Sequence, residues 1–321
     1  MPDDGRSGFA AQRSRIFVLS GAVKRILITG AHGFTGLHLL DRLAGAGHEL
    51  HGLVHHPAPA PCPALHAEHV ADLRDLSAIE RIIAEVEPDQ VVHLAAIAFV
   101  AHGDAGELYS SNILGTRNLL QALAAAPRRP EAVLLASSAN IYGNRREGVL
   151  DETTPPEPAN DYGITKLTCE MLGRVYADRL PIITVRPFNY TGRGQSEQFI
   201  IPKIVAHAKA RKPVIELGNI DVARDFSDVR AVVDSYARLL AAPDAIGGVF
   251  NVCSGEAHAL REVIDLVSRI SGHEMEIRVN PAFVRADEVR TLCGSRKRLE
   301  SLIGAVSVPS LEQTISWMLN D

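Results

Sequence analysis

Two short segments carry residue types that could move a proton. In Tyr162-Gly163-Ile164-Thr165-Lys166 a phenol and an ammonium stand four residues apart. On a helix that spacing is one turn, with both groups on one face. Free tyrosine titrates near pH ~10, and a neighbouring cation favours the phenolate and lowers that value. Tyr162 so placed could give a proton to a carbonyl oxygen, or take one from an alcohol, a contribution of roughly 10²–10⁴-fold. The second segment is "ASSANIYG", Ala136 to Gly143, directly after the apolar run "AVLL". Ser138 could hydrogen-bond the same carbonyl and align it, with Ser137 closer to the strand body. The bland reading is a hydroxyl capping a turn. The two positions after Ser138 are Ala139 and Asn140, and neither is an acid or a base.

A third segment supplies the partner for such chemistry. Gly30-Ala31-His32-Gly33-Phe34-Thr35-Gly36 lies between the apolar run Arg25–Thr29 and a stretch of helical periodicity at 34–46. Glycines there permit a tight turn and close approach to a pyrophosphate, and the helix N-terminus offers free N–H groups. The expectation is a nicotinamide dinucleotide, whose positive oxidised ring would also favour the Tyr162 phenolate. Many NAD sites carry an acid at the tip of the second strand. Here the tip reads "GLVHHP", and Glu49 stands at its start. Absence of the acid favours a 2′-phosphate, hence NADPH, with NADH also admissible. His55 or His56 could donate to that phosphate. Asp72 is placed either to receive an adenine amine or to cap a helix. Leu73, together with Leu94, Ala95 and Ala96 after the fourth strand, complete the expected cofactor contacts. Asn112 lies in a helical stretch, "NILGTRNLL", where asparagine has a propensity cost. A water held beside the lysine and a local bend would explain it.

The elements that must position these groups alternate. Strands are read at Arg25–Thr29, "HELHGLV", "HAEHVAD", "QVVHLAA", "EAVLLAS" and "PIITVRP". Helices fall at 34–46, Leu76–Val86, 108–126 and from about Tyr162 onward. Apolar strands without polar alternation are buried on both faces, which indicates a parallel sheet covered by helices. The fold class is α/β, a Rossmann-like parallel sheet with a smaller, discontinuous C-terminal lobe. Residues 24–187 form the dinucleotide-binding part, which 226–252 rejoin through "GGVFNVC". The lobe is drawn mainly from 188–321, with helices at 199–209, 230–242, Leu260–Ser271 and Leu311–Leu319 and a strand in "EMEIRV". Residues 1–23 read as an extension or an alternative translation start.

Composition limits the rest. The chain has 321 residues, a formal net charge of −5 and no block of like charges, so a nucleic-acid groove is not expected. Arg296-Lys297-Arg298 reads as a solvated helix face. No apolar run approaches a membrane span. Cys62, Cys169, Cys253 and Cys293 are far apart and form no CxxC, which points to a reducing, cytoplasmic setting and to no metal. His55-His56, His66 and His69 have no recognised ligand spacing.

"GAHGFTG", "VVHLAA", "NILGTRNLL", "SSANIYG", "YGITK" and "RPFNYTGRGQ" together resemble the extended short-chain dehydrogenase/reductase family. The likeness runs from Gly30 to the terminal helix. "GNIDVARDFSDVR", "VFNVCSG" and "ADEVRTLCGSRKRL" are more specific than the glycine loop and look like the nucleotide-sugar branch, among its reductases of GDP-linked 4-keto-6-deoxy sugars. The resemblance implies Ser138, Tyr162 and Lys166 as catalytic, with Asn112 as fourth member. It implies Asn189, Arg224 and Glu288 as holding the nucleotide sugar, with Lys203 and Arg285 as further candidates for the diphosphate. The implied reaction is reduction of the C4 keto group of GDP-4-dehydro-6-deoxy-D-mannose to GDP-D-rhamnose. Alternatives are a reductase giving GDP-6-deoxy-D-talose, a nucleotide-sugar 4-epimerase, a 4,6-dehydratase and a non-catalytic dinucleotide-binding protein. Dehydratases of the family usually carry Asp-Glu or Ser-Glu after the catalytic hydroxyl, so Ala139-Asn140 argues against that one. Family members commonly pair through two helices, here 108–126 and 162–180. The implied state is a homodimer, with alanines at 122, 124, 125 and 126 permitting close approach.

Overall fold

The computed structural model describes residues 23–98, 104–144, 148–283 and 291–320. The first half runs β1 (Arg25–Thr29), α1 (Phe34–Ala44), β2 (Glu49–Val54), β3 (Ala67–Val70), α2 (Leu76–Val86), β4 (Gln90–His93), α3 (Ala105–Tyr109), α4 (Gly115–Ala125), β5 (Ala132–Ala136), β6 (Gly148–Leu150), α5 (Asp161–Tyr176) and β7 (Ile182–Pro187). The second runs β8 (Asn189–Thr191), α6 (Ile200–Lys209), β9 (Val214–Leu217), β10 (Ala223–Asp228), α7 (Val229–Leu240), β11 (Val249–Val252), β12 (Ala257–Ala259), α8 (Leu260–Ser271), β13 (Glu276–Val279), β14 (Thr291–Gly294), α9 (Lys297–Ile303) and α10 (Leu311–Leu319).

Seven strands form one parallel sheet in the order β11-β7-β5-β4-β1-β2-β3. Burial on both faces is visible in β1. Ile26 and Ile28 join the core under α1 and α7, while Leu27 between them joins the core under α2 and α4. The reversal of strand order between β1 and β4 opens a crevice at the carboxyl ends of the strands, where ligands of such sheets bind. The smaller lobe has its own core, in which α6, α8 and α10 pack Ile204, Val263, Val267 and Ile315 around Ile215 of β9.

Three features differ from the sequence expectation. The helix read over 108–126 begins at Ala105 and is interrupted by a π-helical turn, Ser110–Leu114, between α3 and α4. Asn112 sits in that turn, and its side chain is engaged outside the helix. The lobe also contains short strands absent from the sequence reading. β8 pairs with β10, and β10 lies between β12 and β14, with β6 outside β14. β6 therefore crosses from the first half of the chain into the sheet of the lobe. Finally, Ala122 is buried in the chain's own core and Ala124 and Ala126 pack against it. The outward apolar groups are instead Leu114, Ile164, Met171 and Val175. Among the described residues, no helix is long and apolar enough to cross a membrane.

Candidate active site

A cavity of about 620 Å³ lies at the crevice. The ends of the strands bring Gly30, Leu94, Ser138 and Asn189 to its wall, α5 brings Tyr162 and Lys166, and the lobe brings Arg224, Leu260 and Phe283. Tyr162 and Ser138 stand in the same wall. Lys166 donates from Nζ to the Ala136 carbonyl at 2.7 Å and lies 5.8 Å from the centre of the Tyr162 ring. The turn and the strand end thus hold phenol, hydroxyl and ammonium at one wall. Ser138 also caps the turn, accepting from the Asn140 N–H at 3.1 Å, so the capping and site readings of this serine coexist.

The electrostatics correct one expectation. Burial pushes the Tyr162 phenol up to about 12, with the nearby Ser138 hydroxyl opposing it. Burial lowers the Lys166 ammonium. Desolvation outweighs the pull of the lysine on the phenolate in the protein alone. Tyr162 is a neutral phenol at pH 7 with or without this shift. Tyr190, stacked on Phe34, is likewise pushed up to about 12 by burial, and it bonds Thr35 Oγ1 at 2.8 Å. That contact ties the glycine loop to β8. Tyr190 lies within "RPFNYTGRGQ", and nothing in its local spacing shows the distant threonine.

Asn112 needs no water to explain it. Its Oδ1 accepts from the Ile97 N–H at 2.8 Å, and its Nδ2 donates to the Ile97 carbonyl at 3.2 Å and to Thr165 Oγ1 at 3.0 Å. It clamps the segment after β4 to α5 between Tyr162 and Lys166. The π-helical turn is the backbone accommodation of that clamp.

The residues fit a dinucleotide at the glycine loop. Gly30 has φ +70°, and a Cβ there would lie 2.9 Å from the Ala95 nitrogen. At Gly36 a Cβ would meet the Gly30 and Ala31 carbonyls. Gly33 precedes α1 and no side chain caps that helix, so its first N–H groups are available to an anion. Two polar atoms at the cavity, Ser137 Oγ and Gln195 Oε1, are buried without a partner among the described residues. Such groups want a ligand.

Gly33, Phe34, Thr35, Gly36 and Ala96 line this cavity, as their sequence positions suggested. Other candidates stand elsewhere. His32 turns away, with Nε2 2.8 Å from Glu68. His55 is exposed, 3.6 Å from Asp72. Asp72 does not cap α2; Asp75 does, accepting from the Ala78 N–H. Asp72 is instead gripped by Arg74, whose hydrogen bonds hold its carboxyl down at about 2. Leu73 packs over Gly115, and its carbonyl accepts from Asn118. Ala95 contributes its N–H to Thr29 Oγ1. Lys203 is not in the cavity wall. Its Nζ donates to the Glu216 carbonyl at 2.8 Å and sits 5.0 Å from the Phe283 ring, so it stands behind a lining residue. Arg285 and Glu288 lie outside the described residues. Asp225 follows Arg224 in β10. It is fully buried and accepts from the N–H groups of Ser254, Gly255 and Gly294, pinning β10 to β14 and to the turn after β11.

Residues 26–253 match the family model described as the NAD dependent epimerase/dehydratase family. The chain is 36% identical over 310 residues to GDP-6-deoxy-D-mannose reductase of Pseudomonas aeruginosa, covering 93% of this chain and 97% of that protein. It is 32% identical over 281 residues to GDP-6-deoxy-D-talose 4-dehydrogenase of Aggregatibacter actinomycetemcomitans, covering 87% and 91%. The structure of RMD from Pseudomonas aeruginosa complexed with NADPH superposes with a TM-score of 0.80 at 32% identity, covering 93% of this chain and 98% of that one. This chain therefore belongs to the NAD dependent epimerase/dehydratase family, in the nucleotide-sugar branch of the extended short-chain dehydrogenases/reductases, and is an oxidoreductase that uses a nicotinamide dinucleotide.

Proposed function

We propose that the protein reduces the C4 keto group of GDP-4-dehydro-6-deoxy-D-mannose, with NADPH or NADH, to give GDP-D-rhamnose. The observation that carries this reading is the wall formed by Ser138, Tyr162 and Lys166, with the amide of Asn140 where a dehydratase would need an acid or base. The similarity to a GDP-6-deoxy-D-mannose reductase supports it.

The bound dinucleotide supplies the hydride. Gly30, Gly33 and Gly36 give its pyrophosphate room beside the uncapped end of α1. Tyr162, a neutral phenol at pH 7, gives its proton to the oxygen developing at C4. Ser138 shares that oxygen and fixes the carbonyl in place. Lys166, anchored on the Ala136 carbonyl, keeps a cation beneath the phenol for the moment when it becomes a phenolate. Asn189 and Arg224 hold the nucleotide end, Arg224 by charge-assisted bonds to diphosphate. Binding energy far from C4 then positions the carbonyl for reaction.

The similarity to a GDP-6-deoxy-D-talose 4-dehydrogenase supports a second reading, with the opposite configuration at C4. One experiment separates them. The protein is incubated with GDP-4-dehydro-6-deoxy-D-mannose and either reduced cofactor, absorbance of the nicotinamide is followed, and the sugar is identified by NMR. Stoichiometric cofactor consumption with GDP-D-rhamnose as product is expected. GDP-6-deoxy-D-talose would establish the second reading. Turnover without net cofactor consumption would replace both with an epimerase.

The same reading includes a homodimer. Ile164, Met171 and Val175 are exposed along one stripe of α5, beside Leu114, and a second copy would cover them. Light scattering should give twice the chain mass, and Met171→Asp should halve it; a wild-type monomer refutes the dimer.

A further inference from the structure

We propose that Asn140 is a positioning residue that turns the Ser138 proton into the cavity, where it meets the C4 carbonyl beside the proton of Tyr162. The orientation begins at the first turn of α5. The Gly163 N–H can only donate, and it donates to Asn160 Oδ1 at 2.8 Å. That leaves Asn160 Nδ2 facing Asn140 Oδ1, 3.4 Å away. Asn140 accordingly turns its Nδ2 to Ser138 Oγ at 3.1 Å, and its own main-chain N–H reaches the same oxygen at 3.1 Å. A hydroxyl oxygen has two lone pairs and one proton. Both lone pairs of Ser138 receive N–H groups from Asn140, so Ser138 can only donate, and its proton is left for the cavity that it lines. The polarity of a main-chain amide, fixed by covalent structure, is thus relayed through two side-chain amides to the serine hydroxyl.

This inference rests on the reading that a 4-keto sugar meets Tyr162. A carbonyl accepts and cannot donate, so it matches a hydroxyl that can only donate. A 4-hydroxyl can do either. A carboxylate at position 140 would reverse the relay. It would accept the Ser138 proton, take it from the cavity and leave a Ser138 lone pair there instead.

The test is equilibrium binding by calorimetry, without cofactor, of the nucleotide-linked 4-keto sugar and of its 4-hydroxy product. The proteins are wild type, Asn140→Asp, Ser138→Ala and the double variant. Asn140→Asp is expected to weaken binding of the 4-keto sugar roughly 3–10-fold, the range of one net hydrogen bond, with the 4-hydroxy product unchanged. In the Ser138→Ala background the same substitution should change neither affinity, because the relay runs through Ser138. In catalysis it should lower kcat and leave KM for the cofactor unchanged. Equal loss for both sugars, or a loss that persists without Ser138, overturns the inference while leaving the reductase reading intact. Failure of wild type to bind either sugar overturns the substrate reading and this inference with it.

Discussion

Two buried polar networks flank α5, and they are built from different chemistry. Toward its N-terminus the network is neutral, made of Asn112, Thr165, Ser138, Asn140 and Asn160. One turn beyond Lys166 it is ionic. Glu170 takes both Arg186 contacts at 2.9 and 2.8 Å, and Arg186 continues at 3.0 Å to Tyr142, which bonds Asn251 at 2.7 Å. Both networks tie α5 to residues 138–143, from opposite ends. The ionic one closes on itself, and its charges are satisfied with no ligand. The neutral one opens into the cavity, where a fixed charge beside Tyr162 would shift the proton the site must deliver. Lys166 apart, charge is placed where only rigidity is needed, and neutral dipoles where a proton moves.

Breaking the neutral side at its centre should have the largest effect. Tyr162→Phe is expected to lower the rate of cofactor consumption by roughly 10²–10⁴-fold while thermal melting stays close to wild type; full activity would refute the role of Tyr162. Breaking the ionic side should act on stability instead. Glu170→Ala leaves the Arg186 guanidinium buried and unpaired, which costs about 3–5 kcal/mol, read from the urea midpoint. Replacing both partners together with apolar residues should cost far less, and equal costs would show that the charges themselves matter little.

A smaller effect is expected at the clamp. Asn112→Ala strands the Ile97 N–H and carbonyl, at about 1–3 kcal/mol, and should reduce activity further by loosening α5 at Thr165. Unchanged denaturant stability and rate would remove Asn112 from the site. The smallest effect is graded with pH. His93 is buried between Thr29 and Thr116 and is lowered to about 3, by burial first and then by Lys166. Its unfolded value is near 6.5. The stability it preserves by staying neutral is fully present above pH ~6.5 and is lost as pH falls toward 3. The slope is about 1.4 kcal/mol per pH unit. Urea titrations from pH 7 to 5 should show it, and His93→Gln should flatten it.

Much of the frame was legible because it is local. The β1 run, the Gly30–Gly36 spacing and the Tyr162–Lys166 interval each follow from short-range geometry, and the unbroken apolar strands mark a sheet covered on both faces. Asn112 was visible as an anomaly without its cause, since Ile97 and Thr165 are distant in sequence. Asp72 and Asp75 show the limit of capping arguments. Both precede α2, and only three-dimensional placement gives Asp75 the cap and Asp72 the arginine. The short strands β8, β10, β12 and β14 carry no period long enough to read; pairing partners define them.

By itself the sequence determined the parallel sheet, the glycine turn and one phenol and one ammonium on a shared helix face, because these depend on covalent spacing and on periods of two to four residues. It also determined that no carboxylate follows Ser138. Only the tertiary structure decided how those groups are charged and which way their protons point. Burial, not the lysine, dominates Tyr162, because desolvation is set by every neighbour at once. The Ser138 proton is directed by Asn140, Asn160 and Gly163, which meet only when α5 docks against the turn after β5.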